Sequence, residues 1–101
     1  MEECFLYRLH LVRGDMLRTG PTAHEQEVVE EHFRYLKDLT DKGVVILVGR
    51  TLNTDESAMG ITVFRAESET AARQIMNNDP AIKNHVMTGT LFPFRIALRG
   101  N

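Results

Sequence analysis

Hydrophobic and polar positions recur along the chain with two periods, and the changes of period divide it into six elements. From Cys4 to Val12 the period is two. Phe5, Tyr7, Leu9 and Leu11 share one face, and Leu6, Arg8 and His10 share the other, the pattern of a strand with one face on a core. The second face is mixed rather than polar, so a partner chain is expected to cover it. Arg13–Pro21 reads as a loop punctuated by Gly14-Asp15 and Gly20-Pro21. The period then becomes helical over Thr22–Lys42. At about 100° per residue, Glu25, Val28, Val29, His32, Phe33, Leu36, Leu39 and Thr40 fall on one side, expected to be buried. Glu27, Glu30, Glu31, Arg34, Lys37, Asp38 and Asp41 fall on the other, which is solvated. Thr22 and Glu25 have the T-x-x-E spacing of a capping box, and Gly43 is the natural residue just past the end.

Val44–Thr51 is apolar and β-branched on both faces and predicts a strand buried on both sides. Asn53–Ser57 is a polar turn. Met59–Ala66 is a third strand, with Ile61, Val63 and Arg65 pointing one way and Thr62, Phe64 and Ala66 the other; the two strands form an antiparallel hairpin. Ser68 caps a second helix with the apolar stripe Ala71, Ala72, Ile75 and Met76. Pro80 disfavours the helical conformation at Asp79, so this helix ends at Asn77-Asn78-Asp79, and Pro80 starts a short turn through Ile82. A loop through Gly89 leads to a last strand, Thr90–Leu98, in which Phe92, Phe94, Ile96 and Leu98 alternate with Leu91, Pro93, Arg95 and Ala97. Pro93 cannot donate to a ladder and marks an edge strand. The order β-α-β-β-α-β is the ferredoxin-like α+β arrangement, with both helices on one face of a four-stranded antiparallel sheet. The other face keeps Leu6, alternate side chains of Val44–Val48 and one side of the third strand, so a homodimer joined through the sheet faces is expected.

Composition narrows the class. A chain of 101 residues, 43% hydrophobic and 26% charged, predicts one globular domain over residues 1–101. The net charge is −2 and no basic run exists, which argues against nucleic acid as a partner. The longest apolar run, Val44–Val48, is too short to span a bilayer. The N-terminal MEECFLYR carries two acids where a secretory signal carries positive charge, and the single cysteine cannot form an internal disulfide; both point to the cytoplasm. Cys4 has no neighbouring base to activate it as a nucleophile.

The chemistry centres on His32, which sits in the middle of an apolar stripe between Val28 and Leu36. A buried imidazole needs partners for two nitrogens. Either it is a satisfied core histidine, or it is an acid–base residue facing a pocket. Asp79 is the N-cap of the turn at Pro80, or the carboxylate that orients His32; antiparallel helices on one side of the sheet let it be both. No metal pattern is present: His24 and His32 are eight apart, and His10 and His85 meet only by folding. No phosphate loop occurs, and Ser57 and Ser68 lack a nucleophile elbow. No cofactor is expected. Arg50 follows Gly49 at a strand end and either binds an anionic substrate group or is an exposed charge.

Three stretches carry a family likeness: HFRYLKDLTDKGVVILVGR, SETAARQIMNNDP and GTLFPFRIAL, in this order. From about Glu31 to Leu98 the chain resembles the YCII-related family. The resemblance implies a ferredoxin-like dimeric α+β barrel with a pocket near the helices and a catalytic His–Asp pair. By motif, His32 matches its histidine and Asp79 its aspartate, while His24 does not match. The family commonly has Gly-Pro after the second strand, where this chain has Gly49-Arg50, a departure that bears on the shape of the pocket. The function expected is a small cofactor-independent enzyme of lyase or isomerase type, using His32 and Asp79 on a small, aromatic or anionic metabolite. The alternatives are a non-catalytic ligand-binding or sensing dimer and a haem or oxygenase-type barrel with His32 as axial ligand.

Overall fold

Tyr7 and Phe64, both fully buried, meet edge to face at the centre of the molecule, ring centroids 5.5 Å apart and planes at 77°. Each ring removes enough apolar surface from water to contribute about 2–3 kcal/mol. They lie on the two central strands. The computed structural model describes residues 2–100; Met1 and Asn101, the ends of the expected domain, lie outside the described residues. The strands are β1 (Glu2–Leu11), β2 (Val45–Arg50), β3 (Gly60–Phe64) and β4 (Met87–Ile96). The helices are α1 (Met16–Thr19), α2 (Ala23–Asp41), α3 (Glu69–Asn77) and α4 (Pro80–Lys83). All strand pairs are antiparallel, in the order β2-β3-β1-β4, and the fold is ferredoxin-like α+β. As Pro93 requires, β4 is an edge.

Registers place Tyr7 beside Thr62 on one side and Leu91 on the other, all on the helix-covered face. There Tyr7, Leu9, Val45 and Phe64 pack with Leu36 of α2 and Ala72 and Met76 of α3. The chain enters α2 through the capping box: Glu25 N–H donates to Thr22 Oγ1 (3.1 Å) and Thr22 N–H to Glu25 Oε1 (2.8 Å). Glu25 also grips Arg13 through both oxygens (2.6 and 2.9 Å), and Arg13 reaches the Gly20 carbonyl. These bonds, Arg13's first, hold the Glu25 carboxyl down at about 2. Gly43 closes α2 at φ +78°, a conformation that suits glycine.

Several expectations need correction. Arg13–Pro21 is not all loop but contains α1, tied down by Arg18, which donates to the Thr54 carbonyl and pairs with Asp15. The buried side of α2 is rotated from the expected one. Phe33 is 66% exposed and Thr40 is exposed, while Tyr35 is half-buried with its hydroxyl on the Ile75 carbonyl (2.7 Å). The reason is α4, which extends the helix layer and draws the Val28–His32–Tyr35 side inward. Within this chain β2 is buried only at Val45. It lies at a sheet edge, and a register shift between Val45 and Leu47 leaves Leu47 and Val48 exposed.

The last strand starts three residues before the expected Thr90 (at Met87), so Gly89 lies within β4 rather than in a loop. Gly89 is there because the helix layer comes down on it: a Cβ would sit 2.6 Å from Ile82 Cδ1 and 3.0 Å from Met76 Sδ. Both atoms belong to flexible side chains rather than backbone, so the clash is relieved locally. Gly89→Ala is expected to cost about 1–2 kcal/mol by overpacking, and Ile82→Val, which removes the nearest methyl, to recover part of that loss in the double variant. Urea denaturation of the four proteins checks both.

Candidate active site

Three elements converge beneath the helix layer. The break at Pro80 makes Asp79 the N-cap of α4, with φ −60° and ψ 124°, and its Oδ1 accepts the Ala81 N–H at 2.9 Å. The same Oδ1 lies 2.6 Å from His32 Nδ1 of α2. Oδ2 accepts the hydroxyl of Tyr7, from β1, at 2.7 Å. Asp79 is fully buried, and the His32 side chain is 12% exposed. A carboxylate taken out of water is costly unless charge-assisted bonds replace its hydration, and three donors on two oxygens do so. Both neighbours that define its state, Ala81 N–H and Tyr7 O–H, are donors. Asp79 is therefore acceptor-only, which assigns the hydrogen to His32 Nδ1. Nε2 makes no hydrogen bond among the described residues.

Two phenols complete the surroundings. Burial first, then the charge of Asp79, then the hydrogen bond to it raise the ionisation of Tyr7 far above the ordinary phenol range. Tyr35, half-buried, is pushed up to about 12 by burial and then by the charge of Asp79. Beside Tyr7 across the β1–β3 ladder, Thr62 is fully buried; its hydroxyl makes no hydrogen bond of good geometry but lies close enough to the Tyr7 phenol to offset part of that phenol's rise.

The sequence candidates fare differently. His32 and Asp79, 47 residues apart, are brought together. Arg50 ends β2 opposite Gly60, exposed, and no hydrogen bond or ion pair joins it to the pair. His24 is exposed at the start of α2, His10 lies on the opposite sheet face, and His85 is exposed beyond α4 at φ +59°. Among the described residues no three His, Cys, Asp or Glu side chains are grouped to hold a metal ion, and no helix is long and apolar enough to cross a membrane. Two surface depressions lie away from the pair, one against the Arg13–Arg18 segment and one at the sheet end beside Cys4 and Pro93. Sequence reasoning gave Tyr7 only a core position. The available signal was that a phenol on a buried strand face needs a partner for its hydroxyl.

The fold is a ferredoxin-like sheet with His32 and Asp79 of the helix layer set against its central strand. The YCII-related domain matches residues 10–95, and the chain belongs to that family. No curated protein matches the chain. Among solved structures, it is similar to 5-chloro-2-hydroxyhydroquinone dehydrochlorinase (TftG) from Burkholderia phenoliruptrix AC1100, in complex with 2,5-dihydroxybenzoquinone. The TM-score is 0.63 at 17% identity, over 90% of this chain and 93% of that one, a likeness of fold.

The phenols link stability to alkaline pH. In the unfolded chain a tyrosine ionises near 10.0, whereas the folded chain holds Tyr7 neutral well above that. The folded value is raised, so Tyr7's contribution is full below pH 10 and is lost as pH rises further. Tyr35 adds a smaller loss between 10 and about 12. Unfolding free energy measured from pH 8 to 12 is expected to fall above 10, and Tyr7→Phe to flatten the curve to the share left by Tyr35.

Proposed function

We propose that the chain is a small acid–base enzyme in which His32 is the general base and Asp79 its orienting partner. The observation that carries this reading is the 2.6 Å contact of His32 Nδ1 with a fully buried carboxylate, which leaves Nε2 to exchange a proton. Nε2 takes a proton from the substrate. The imidazolium that forms is paired with Asp79, and Nδ1 keeps its hydrogen throughout. Return of the proton to a second carbon completes an isomerisation; loss of a leaving group with its electron pair completes an elimination. The similarity to a dehydrochlorinase favours elimination, since removing HCl needs a base for the proton and no redox step. The substrate class is a small, oxygenated ring compound or other compact acid. Arg50 is assigned to an anionic substrate group, and the reaction runs without a cofactor.

A general base of this kind contributes about 10²–10⁴-fold to turnover. His32→Gln is therefore expected to lower turnover of an identified substrate by that factor while the circular dichroism spectrum stays native; full turnover by the folded variant would end the catalytic reading. The first ligand to try is 2,5-dihydroxybenzoquinone, by thermal shift. A compound that raises Tm but is recovered unchanged would favour a sensing module instead.

The working form we propose is a homodimer in the cytoplasm, one domain per chain. Leu6, Leu47, Ile61, Val63, Phe92 and Phe94 share the sheet face away from the helices, and Leu47, Phe92 and Phe94 are 48%, 39% and 38% exposed. An open apolar face of this kind is covered in solution. Leu47→Glu with Phe92→Glu is expected to convert a dimer to a folded monomer in sedimentation; a monomeric wild type would refute the assembly.

A further inference from the structure

We propose that Tyr7 is a positioning residue of the His32–Asp79 pair: its phenol occupies the second oxygen of the carboxylate and so sets how readily His32 takes and releases a proton. Its meaning for turnover rests on the catalytic reading above, but its effect on His32 does not.

The ring of Tyr7 fills the core, and its hydroxyl faces the carboxylate, with Thr62 of β3 the other polar side chain beside it. Tyr7 is fully buried, fixed by β pairing on both sides, and its ring stands edge-on to Phe64. It cannot swing out to water, and its hydroxyl is 2.7 Å from Asp79 Oδ2. Its resistance to ionisation makes it a donor over the whole range in which a histidine titrates. The groups that face the carboxylate are few. β1 supplies Tyr7. α2 supplies His32 and Tyr35, whose hydroxyl is spent on the Ile75 carbonyl. α4 supplies the Ala81 N–H, and the side chains of α3 packed here, Ala72, Ile75 and Met76, do not titrate.

A carboxylate bonded only to the imidazole and one backbone N–H would concentrate its charge on the ring and favour the imidazolium more strongly. With Tyr7 on Oδ2, that charge is shared with a second strong donor, and the neutral, proton-accepting imidazole gains relative to the imidazolium. The phenol thus shifts the balance toward the proton-accepting form.

The test follows the His32 ring resonances by NMR across pH 4–9, with no substrate. Tyr7→Phe is expected to raise the His32 midpoint by about 0.5–1 pH unit, a three- to tenfold gain in proton affinity. In an Asp79→Asn background the same change is expected to leave the midpoint where it is, because no charge remains to be shared. A folded Tyr7→Phe protein with the wild-type midpoint overturns the proposal, as does an equal rise in both backgrounds. Should Tyr7→Phe not fold, 3-fluorotyrosine serves instead. The chain has two tyrosines, so a Tyr35→Phe protein carries the label at Tyr7 alone. The more acidic phenol is a stronger donor and is expected to lower the midpoint; no movement overturns the proposal. The two readings fail separately. If His32 is not the base, His32→Gln keeps its turnover while the Tyr7 effect on the midpoint persists. If Tyr7 is only structural, His32→Gln loses turnover and the midpoint stays put.

Discussion

A single buried charge sets the terms for this fold. Asp79 has no exposure, and its three donors come from three separate elements: Tyr7 from β1, His32 from α2 and Ala81 from α4. A carboxylate in such a place is tolerated only when every donor is in position, because losing one partner leaves an uncompensated buried group at a cost of about 3–5 kcal/mol. The helix layer must therefore sit on the sheet in one register. The break between α3 and α4 fixes where the carboxylate emerges, and Pro80 fixes the break. Gly89 lets Ile82 and Met76 come down onto β4, which brings α4 close enough for the bond to Tyr7.

What could be read from the sequence follows from how local each cause is. The capping box at Thr22 and Glu25, the Ser68 cap and the Gly43 stop all act within one turn, and all are present. The strand order follows from β-α-β-β-α-β, and Pro93 located an edge. Phe33 could not be placed correctly, because helical periodicity gives the width of an apolar face but not its centre, which here is set by α4. The exposure of β2 depends on its place in the sheet and on a bulge, both non-local. Gly89 looks like a loop residue in sequence; only the approach of two helices explains it.

The candidate site divides in the same way. His32 was legible because a polar ring interrupts an apolar stripe, and Asp79 because Pro80 demands a boundary there. Tyr7 was not, because at alternating strand positions a tyrosine holding a carboxylate and a tyrosine filling a core look alike. Reading β1 by its faces ties the site to the proposed interface. Tyr7 points inward to Asp79, while Leu6 and Arg8, on either side of it, point outward. Arg8 stacks over Phe92 at 5.4 Å with its Nε buried and without a hydrogen-bond partner. One strand thus borders both, and a partner seated on the outer face would stiffen the element that carries the phenol.

Capping α4 explains one bond at Asp79 and no more. An N-cap needs a single acceptor oxygen, and a serine supplies it without a charge. The second oxygen, the negative charge and the imidazole and phenol that satisfy it are surplus to that task. They do not repay themselves in stability either, since buried ionic clusters are often matched or bettered by apolar side chains of similar volume. A carboxylate, an imidazole and a phenol held in mutual contact beneath two helices are thus poorly explained by folding alone. An imidazole with one nitrogen anchored and the other uncommitted is suited to moving a proton, and that is the physical basis for assigning the pair to proton transfer.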